Sequence, residues 1–349
     1  MPDTEWIWIE RYAEQFRICA VTAGDSAVVL SETRSRPEIV ATARLALQSL
    51  GATVVDVVVA TPANPGPLPI RSTGASVAIA GNASAIAACA AADFVADCTV
   101  EGLLHSPELP AILADGARVL MISDEHPENV ERWPHDPTQS ARVDRGVERA
   151  RAASLMRVTS AHGTDLTVDL TDATRVGSYG FTTEPGDIAH WPGGLVLAFP
   201  AAGTVNGTIV LAPGDANLSF KTYVSSPVRI ELVDDHIVSI TGDGVDAVLL
   251  DEYLRSFGEP EALAISHVGW GMNGAAQRAA MTAFDRADHN GTELRAVAGN
   301  FLWSTGANEK AGRFCRGHVD IPMFGCTVTL DDQPVVIDGR LQGDLAPTS

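Results

Sequence analysis

The sequence predicts an α/β plus α+β protein: an open, Rossmann-like α/β domain over residues 1–147 and a β-rich, partial-barrel-like domain over 148–349. Three observations predict it. Helical and strand-like patterns alternate through the first ~150 residues, as parallel βαβ units require. From Leu155 onward, short strand-like runs follow one another across glycine-containing turns. The length, 349 residues, suits about two domains.

In the first half, "SAVVLSE" (26–32) reads as a buried strand. "RPEIVATARLALQSLGA" (36–52) has helical apolar spacing and stops at Gly51. "TVVDVVVAT" (53–61) is β-branched and strand-like. Residues 83–100 and 108–124 each read as a helix running into a strand, with Asn82 in "GNAS" placed to cap the first. Residues 139–160 begin helical, and 155–170 form a hairpin. Further short strands follow, interrupted by helices expected at 243–257 and 275–288. No repeat or low-complexity tract is visible.

Composition narrows the function classes. A hydrophobic content of 46% supports sizeable cores, and no apolar run approaches the ~20 residues of a membrane span. The start, "MPDTEWIWIERYAEQF", is acidic and interrupted by charge, unlike a signal peptide. Cys19, Cys89, Cys98, Cys315 and Cys326 are scattered, which suits reduced thiols and a cytoplasmic location. A formal charge of −20 argues against nucleic acid and anionic membranes as partners.

Chemistry centres on the nine histidines. His126, His135, His162, His236 and His289 sit in turn-like polar settings, and about four of these five are expected at the surface. "GHVDIP" places His318 and Asp320 at i and i+2, which share a face on a strand. That pair is two thirds of a 2-His-1-carboxylate triad of the kind that holds non-haem Fe(II). His267 is the natural third member, because it ends an apolar run and enters a glycine-rich turn. A core histidine bonded to a loop carbonyl fits the same pattern. Gly269, Gly271 and Gly274 spell G-x-G-x-x-G, with Asp288 near the spacing of a ribose-binding acid, but no βαβ unit frames them. Nucleotide binding is therefore disfavoured. His105, in "EGLLHSPEL", follows a strand at the carboxyl edge of the α/β sheet, where ligands sit in such folds. "EPGDIAHWPGG" gathers Glu184, His190 and Trp191 into a loop suited to a planar substrate, or else to a Trp tucked against the sheet.

Together "LLHSPE", "EPG…HWP", "ISHVGWG", "AGNFLWSTG" and "GHVDIP" resemble the 2,5-dihydroxypyridine 5,6-dioxygenases of nicotinate and nicotine degradation. The blocks lie in the right order, the strongest between 101 and 322. That family is distantly related to thermophilic metallo-aminopeptidases that hold two metal ions. Where those enzymes carry metal-binding residues, this chain has Leu195, His267 and Leu302, while His318 and Asp320 are retained. The resemblance therefore implies one Fe(II) held by His267, His318 and Asp320, and ring opening between C5 and C6 by O₂ to give N-formylmaleamate. A two-metal aminopeptidase-like hydrolase is the alternative.

The resemblance further implies His105 as the catalytic base, with His190 as the other candidate. Leu104, Glu184, Trp191, Arg295 and Ser304 would contact substrate, and Thr305 offers a further hydroxyl. Ser178 stands where the family loop is more acidic. Gly269 and Gly271 would let the chain turn sharply beside the metal, and Trp270 is a possible further substrate contact. A homo-oligomer, a hexamer among the options, is implied as well.

Overall fold

The computed structural model describes residues 4–64, 71, 76–122, 124–131, 133 and 136–347; His135 lies outside them. Five parallel strands form the first sheet, in the order Thr53–Val59, Ser26–Glu32, Phe94–Asp97, Arg118–Met121 and Ile188–His190. Helices cover both faces, as parallel sheets demand. Trp6–Ile18 and Pro37–Ser49 close one core around Tyr12, Phe16, Leu47 and Phe94. Ala83–Ala90 and Leu109–Leu113 close the other around Leu30, Val95, Ile112 and Val119. Asn82 caps Ala83–Ala90 by accepting a hydrogen bond from the Ala85 N–H. The fifth strand comes from beyond the 147/148 boundary, so the chain returns to the first sheet after leaving it.

The remaining strands are antiparallel. An eight-stranded sheet contains the expected hairpin, Leu155–Ser160 with Asp165–Asp169. A five-stranded sheet runs in the order Arg313–Met323, Phe301–Asn308, Ile265–Gly271, Leu195–Phe199, Thr174–Ser178. The two sheets share one core with helices Pro137–Ala152 and Val245–Ser256. Into it the five-stranded sheet sends Val196, Val268, Trp270, Phe301, Trp303 and Ile321. Side chains alternate along a strand, so Leu195, Leu197, His267, Leu302, His318 and Asp320 are presented on the opposite face.

Two expectations are corrected here. His267 and the glycines after it do not form a turn; all lie within the strand Ile265–Gly271. The glycines serve close approach. A Cβ on Gly269 would stand 2.0 Å from the Val196 carbonyl oxygen, and one on Gly271 2.1 Å from that of Val297. The helix expected at 275–288 is also absent, replaced by two short 3₁₀ turns at Ala280–Thr282 and Arg286–Asp288. Its carbonyls are taken by other elements. Tyr223 Oη donates to Arg278 O, Lys221 Nζ to Arg286 O at 3.1 Å, and Arg36 Nη2 to Ala287 O at 2.8 Å. These tertiary bonds outweigh a modest helix propensity.

The same segment is clasped to the carboxyl edge of the parallel sheet. Arg36 pairs with Asp288 at 3.1 Å, so Asp288 is an ion-pair partner here. Asn290 Nδ2 donates to Val100 O at 2.8 Å, and the Thr292 N–H donates to Glu125 at 2.6 Å. His289 is buried in this clasp, unlike the exposed His162 and His236.

Candidate metal centre and catalytic pocket

The strand pleat builds the first part of the site. His318 and Asp320 lie two residues apart on Arg313–Met323, opposite Gly306 and Ser304 of the neighbouring strand. His267 comes from the next strand but one. The ladder shifts register between Ile265 and Val268, and His267 lies within that irregularity, a device that re-aims side chains beside sites. His318 Nε2 is 3.4 Å and His267 Nε2 3.6 Å from Asp320 Oδ1. Arg295 Nε stands 2.6 Å from Asp320 Oδ2, which leaves Oδ1 to the two imidazoles.

Electrostatics suit a metal. Burial alone would raise the Asp320 pKa, but the Arg295 guanidinium, with a hydrogen bond from His318, pulls it well below the usual carboxylate range. Burial lowers the pKa of His267 and of His318 against the opposing pull of Asp320, so both imidazoles are neutral with lone pairs available. Two neutral nitrogens, buried and each 3.4–3.6 Å from one carboxylate oxygen, have the spacing to that oxygen of donors that share one ion through bonds of roughly 2 Å.

The opposite wall comes from the parallel sheet. Asp97 ends the strand Phe94–Asp97, and its carboxylate accepts from Thr99 Oγ1 at 2.6 Å, Thr99 N at 3.0 Å and Leu103 N at 2.7 Å. Burial nevertheless pushes the Asp97 pKa up to about 6. The loop organised by Asp97 delivers Leu104 and His105. The His105 ring lies 4.4 Å from that of His318. One ring nitrogen each of His105, His267 and His318 falls within a mutual 4.8 Å, so this trio is a second possible donor set. His105 Nδ1 is 3.1 Å from both carboxylate oxygens of Glu309. His190 ends the fifth parallel strand, with Nδ1 3.2 Å from Ser178 Oγ. Burial and then Arg295 lower its pKa to about 3, so it is neutral at ordinary pH.

Leu104, His190, His267, Arg295, His318 and Asp320 therefore converge, joined by Met121, Leu195, Leu197 and Leu302. They enclose about 20 Å³, room for about one water molecule. Other candidates do not line this space. His105 stands beside it, near His267 and His318, and itself lines a separate hollow with Ser76, Pro107 and Arg316. Trp191 packs into the first-domain core, its ring 5.2 Å from that of Tyr12. Glu184 is exposed. Ser304 Oγ accepts from the His267 N–H at 3.2 Å, so it braces the strand pair. Thr305 is buried on the neighbouring position of that strand. Trp270 points into the shared core. Sequence reasoning missed Met121, Leu197 and Glu309. Glu309 sits in "TGANEKAG", an ordinary turn composition, 204 positions from its partner.

The sequence profile of the 2,5-dihydroxypyridine 5,6-dioxygenases matches residues 7–343. The chain belongs to that family. The 2,5-dihydroxypyridine 5,6-dioxygenase of Pseudomonas putida KT2440 is 35% identical over 343 residues, covering 97% of each chain. The solved structure of 2,5-dihydroxypyridine dioxygenase from the same strain superposes with a TM-score of 0.89 at 34% identity, over 96% of this chain and 97% of that one. AmpT from Thermus thermophilus superposes with a TM-score of 0.64 at 13% identity, over 97% and 99% of the two chains, a likeness of fold alone. Among the described residues, His105, His267 and His318 form a buried group that could hold a metal ion. No helix among the described residues is long and apolar enough to cross a membrane.

Proposed function

We propose that this chain opens 2,5-dihydroxypyridine between C5 and C6, inserting both atoms of O₂ to give N-formylmaleamate, with Fe(II) held by His267, His318 and Asp320. The observation that carries the reading is the convergence of two neutral Nε2 atoms on Asp320 Oδ1. Bound there, Fe(II) supplies the redox partner that O₂ needs and open positions for a ring oxygen. Choosing this set over the trio that includes His105 follows from charge. The carboxylate lowers the net charge of the site, and it leaves His105 free for proton chemistry.

The protein's own groups do the rest. His105 takes the proton of the ring hydroxyl, its Nδ1 already occupied by the Glu309 carboxylate. Arg295, already beside Asp320, holds the resulting anionic oxygen by charge. His190 stays neutral, and with Ser178 donating to Nδ1 it offers Nε2–H to the substrate. Leu104, Met121, Leu195, Leu197 and Leu302 keep water away from the reacting ring. A ring is larger than the enclosed space, so its entry displaces wall residues, the flexible Met121 among them. Leu195 and Leu302 are apolar walls at the places where a two-metal hydrolase would need ligands. A homo-oligomeric assembly and a cytoplasmic location accompany this reading.

The test is anaerobic purification, loading with Fe(II), and simultaneous measurement of O₂ uptake and 2,5-dihydroxypyridine absorbance when air is admitted. Equimolar loss of both is expected. No O₂ uptake with this substrate would overturn the proposal.

A further inference from the structure

We infer that Glu309 is a positioning residue that fixes which nitrogen of His105 faces the substrate. The inference rests on the proposed role of His105 as proton acceptor. Glu309 opens the short turn Glu309–Ala311, directly after the strand Phe301–Asn308. The turn is anchored, because Asn308 accepts from the Ala311 N–H at 3.1 Å and donates to Pro200 O at 3.1 Å. Both Glu309 oxygens stand 3.1 Å from His105 Nδ1. A carboxylate only accepts hydrogen bonds, so Nδ1 carries the proton and Nε2 carries the lone pair. Nε2 is buried without a hydrogen-bond partner among the described residues, the ring lies 4.4 Å from that of the pocket-lining His318, and one ring nitrogen falls within 4.8 Å of nitrogens of His267 and His318.

This arrangement gives His105 a defined direction of reaction. The O–H bond of the ring hydroxyl breaks, its electron pair stays on the ring oxygen, and the proton ends on Nε2. Without Glu309 the imidazole can exchange its proton between nitrogens and flip, and only part of the population then presents a lone pair to the ring. Neither Glu309 nor His105 lines the enclosed space; His105 stands next to it, 4.4 Å from the His318 ring, and Glu309 contacts His105 through Nδ1. It therefore acts on the proton step through His105, as carboxylates do behind other functional histidines.

The test compares wild type, Glu309→Ala, Glu309→Gln, His105→Ala and the double Ala variant, each loaded anaerobically with Fe(II). Iron per chain is measured first, then kcat and KM for 2,5-dihydroxypyridine. Glu309→Ala should lower kcat about 10–100-fold with iron content unchanged and KM within about threefold. Glu309→Gln keeps an acceptor oxygen and should recover most of the loss. The double variant should be no slower than His105→Ala alone, since Glu309 acts only through that histidine. Wild-type kcat in Glu309→Ala, loss of its iron, or a further loss on top of His105→Ala would each overturn the inference. Full activity in His105→Ala would instead bring down the proton-acceptor reading on which it rests.

Discussion

The two walls of the pocket are built by different means. On one side, His267, His318 and Asp320 project from antiparallel strands, and the pleat decides where they point. On the other, Leu104 lines the pocket from a loop beyond a parallel strand, with His105 beside it, held by the Asp97 carboxylate and by Glu309. Strand-borne groups inherit precision from the ladder, whereas the loop-borne group depends on a few specific side-chain bonds. The comparison predicts that damage to the strand wall costs metal and fold, while damage to the loop wall costs rate.

The largest effect should follow from His318→Ala. Iron per chain should fall to background and turnover below about a thousandth of wild type. An iron-replete, active variant would remove His318 from the ligand set. Next is Gly269→Ala, whose added methyl meets the Val196 carbonyl in the neighbouring strand. Overpacking there should cost about 2–3 kcal/mol in urea unfolding and weaken iron retention. Unchanged stability would show that the strand wall is less rigid than its geometry says.

A smaller effect concerns the clasp between the walls. Burial and then Lys221 lower the His289 pKa from 6.5 to about 4. The unfolded chain then binds this proton more readily than the folded one, so the stabilisation is complete above about 6.5 and declines as pH falls towards 4. His289→Gln should flatten the fall in urea midpoint over that window. An identical pH slope in the variant would exclude His289 as its source. Smallest is Ser178→Ala, which removes one hydrogen bond to His190. A loss of about 1 kcal/mol, or roughly fivefold in kcat/KM, is expected from steady-state kinetics.

The sequence was most legible where local pattern decides structure. The alternation of "GHVDIP" placed His318 and Asp320 on one face, and the early helices and strands fell where periodicity put them. It was misleading where distant residues decide. Glycines that read as a turn proved to be strand positions making room for neighbouring carbonyls. A helix-like run was held open by Tyr223, Lys221 and Arg36. Trp191 looked like a substrate platform, yet Tyr12 draws it into the first core. Nothing local to Glu309 announces His105.

The return of Ile188–His190 to the parallel sheet has a consequence for the division of this chain. Only Trp191–Gly194 separates that strand from Leu195–Phe199 in the antiparallel sheet. A cut at 147/148 would hand one fragment a sheet missing its last strand, and the other a strand with nothing to pair with. The halves are interlaced, so exchanging either one alone would break the pairing of Ile188–His190 with Arg118–Met121.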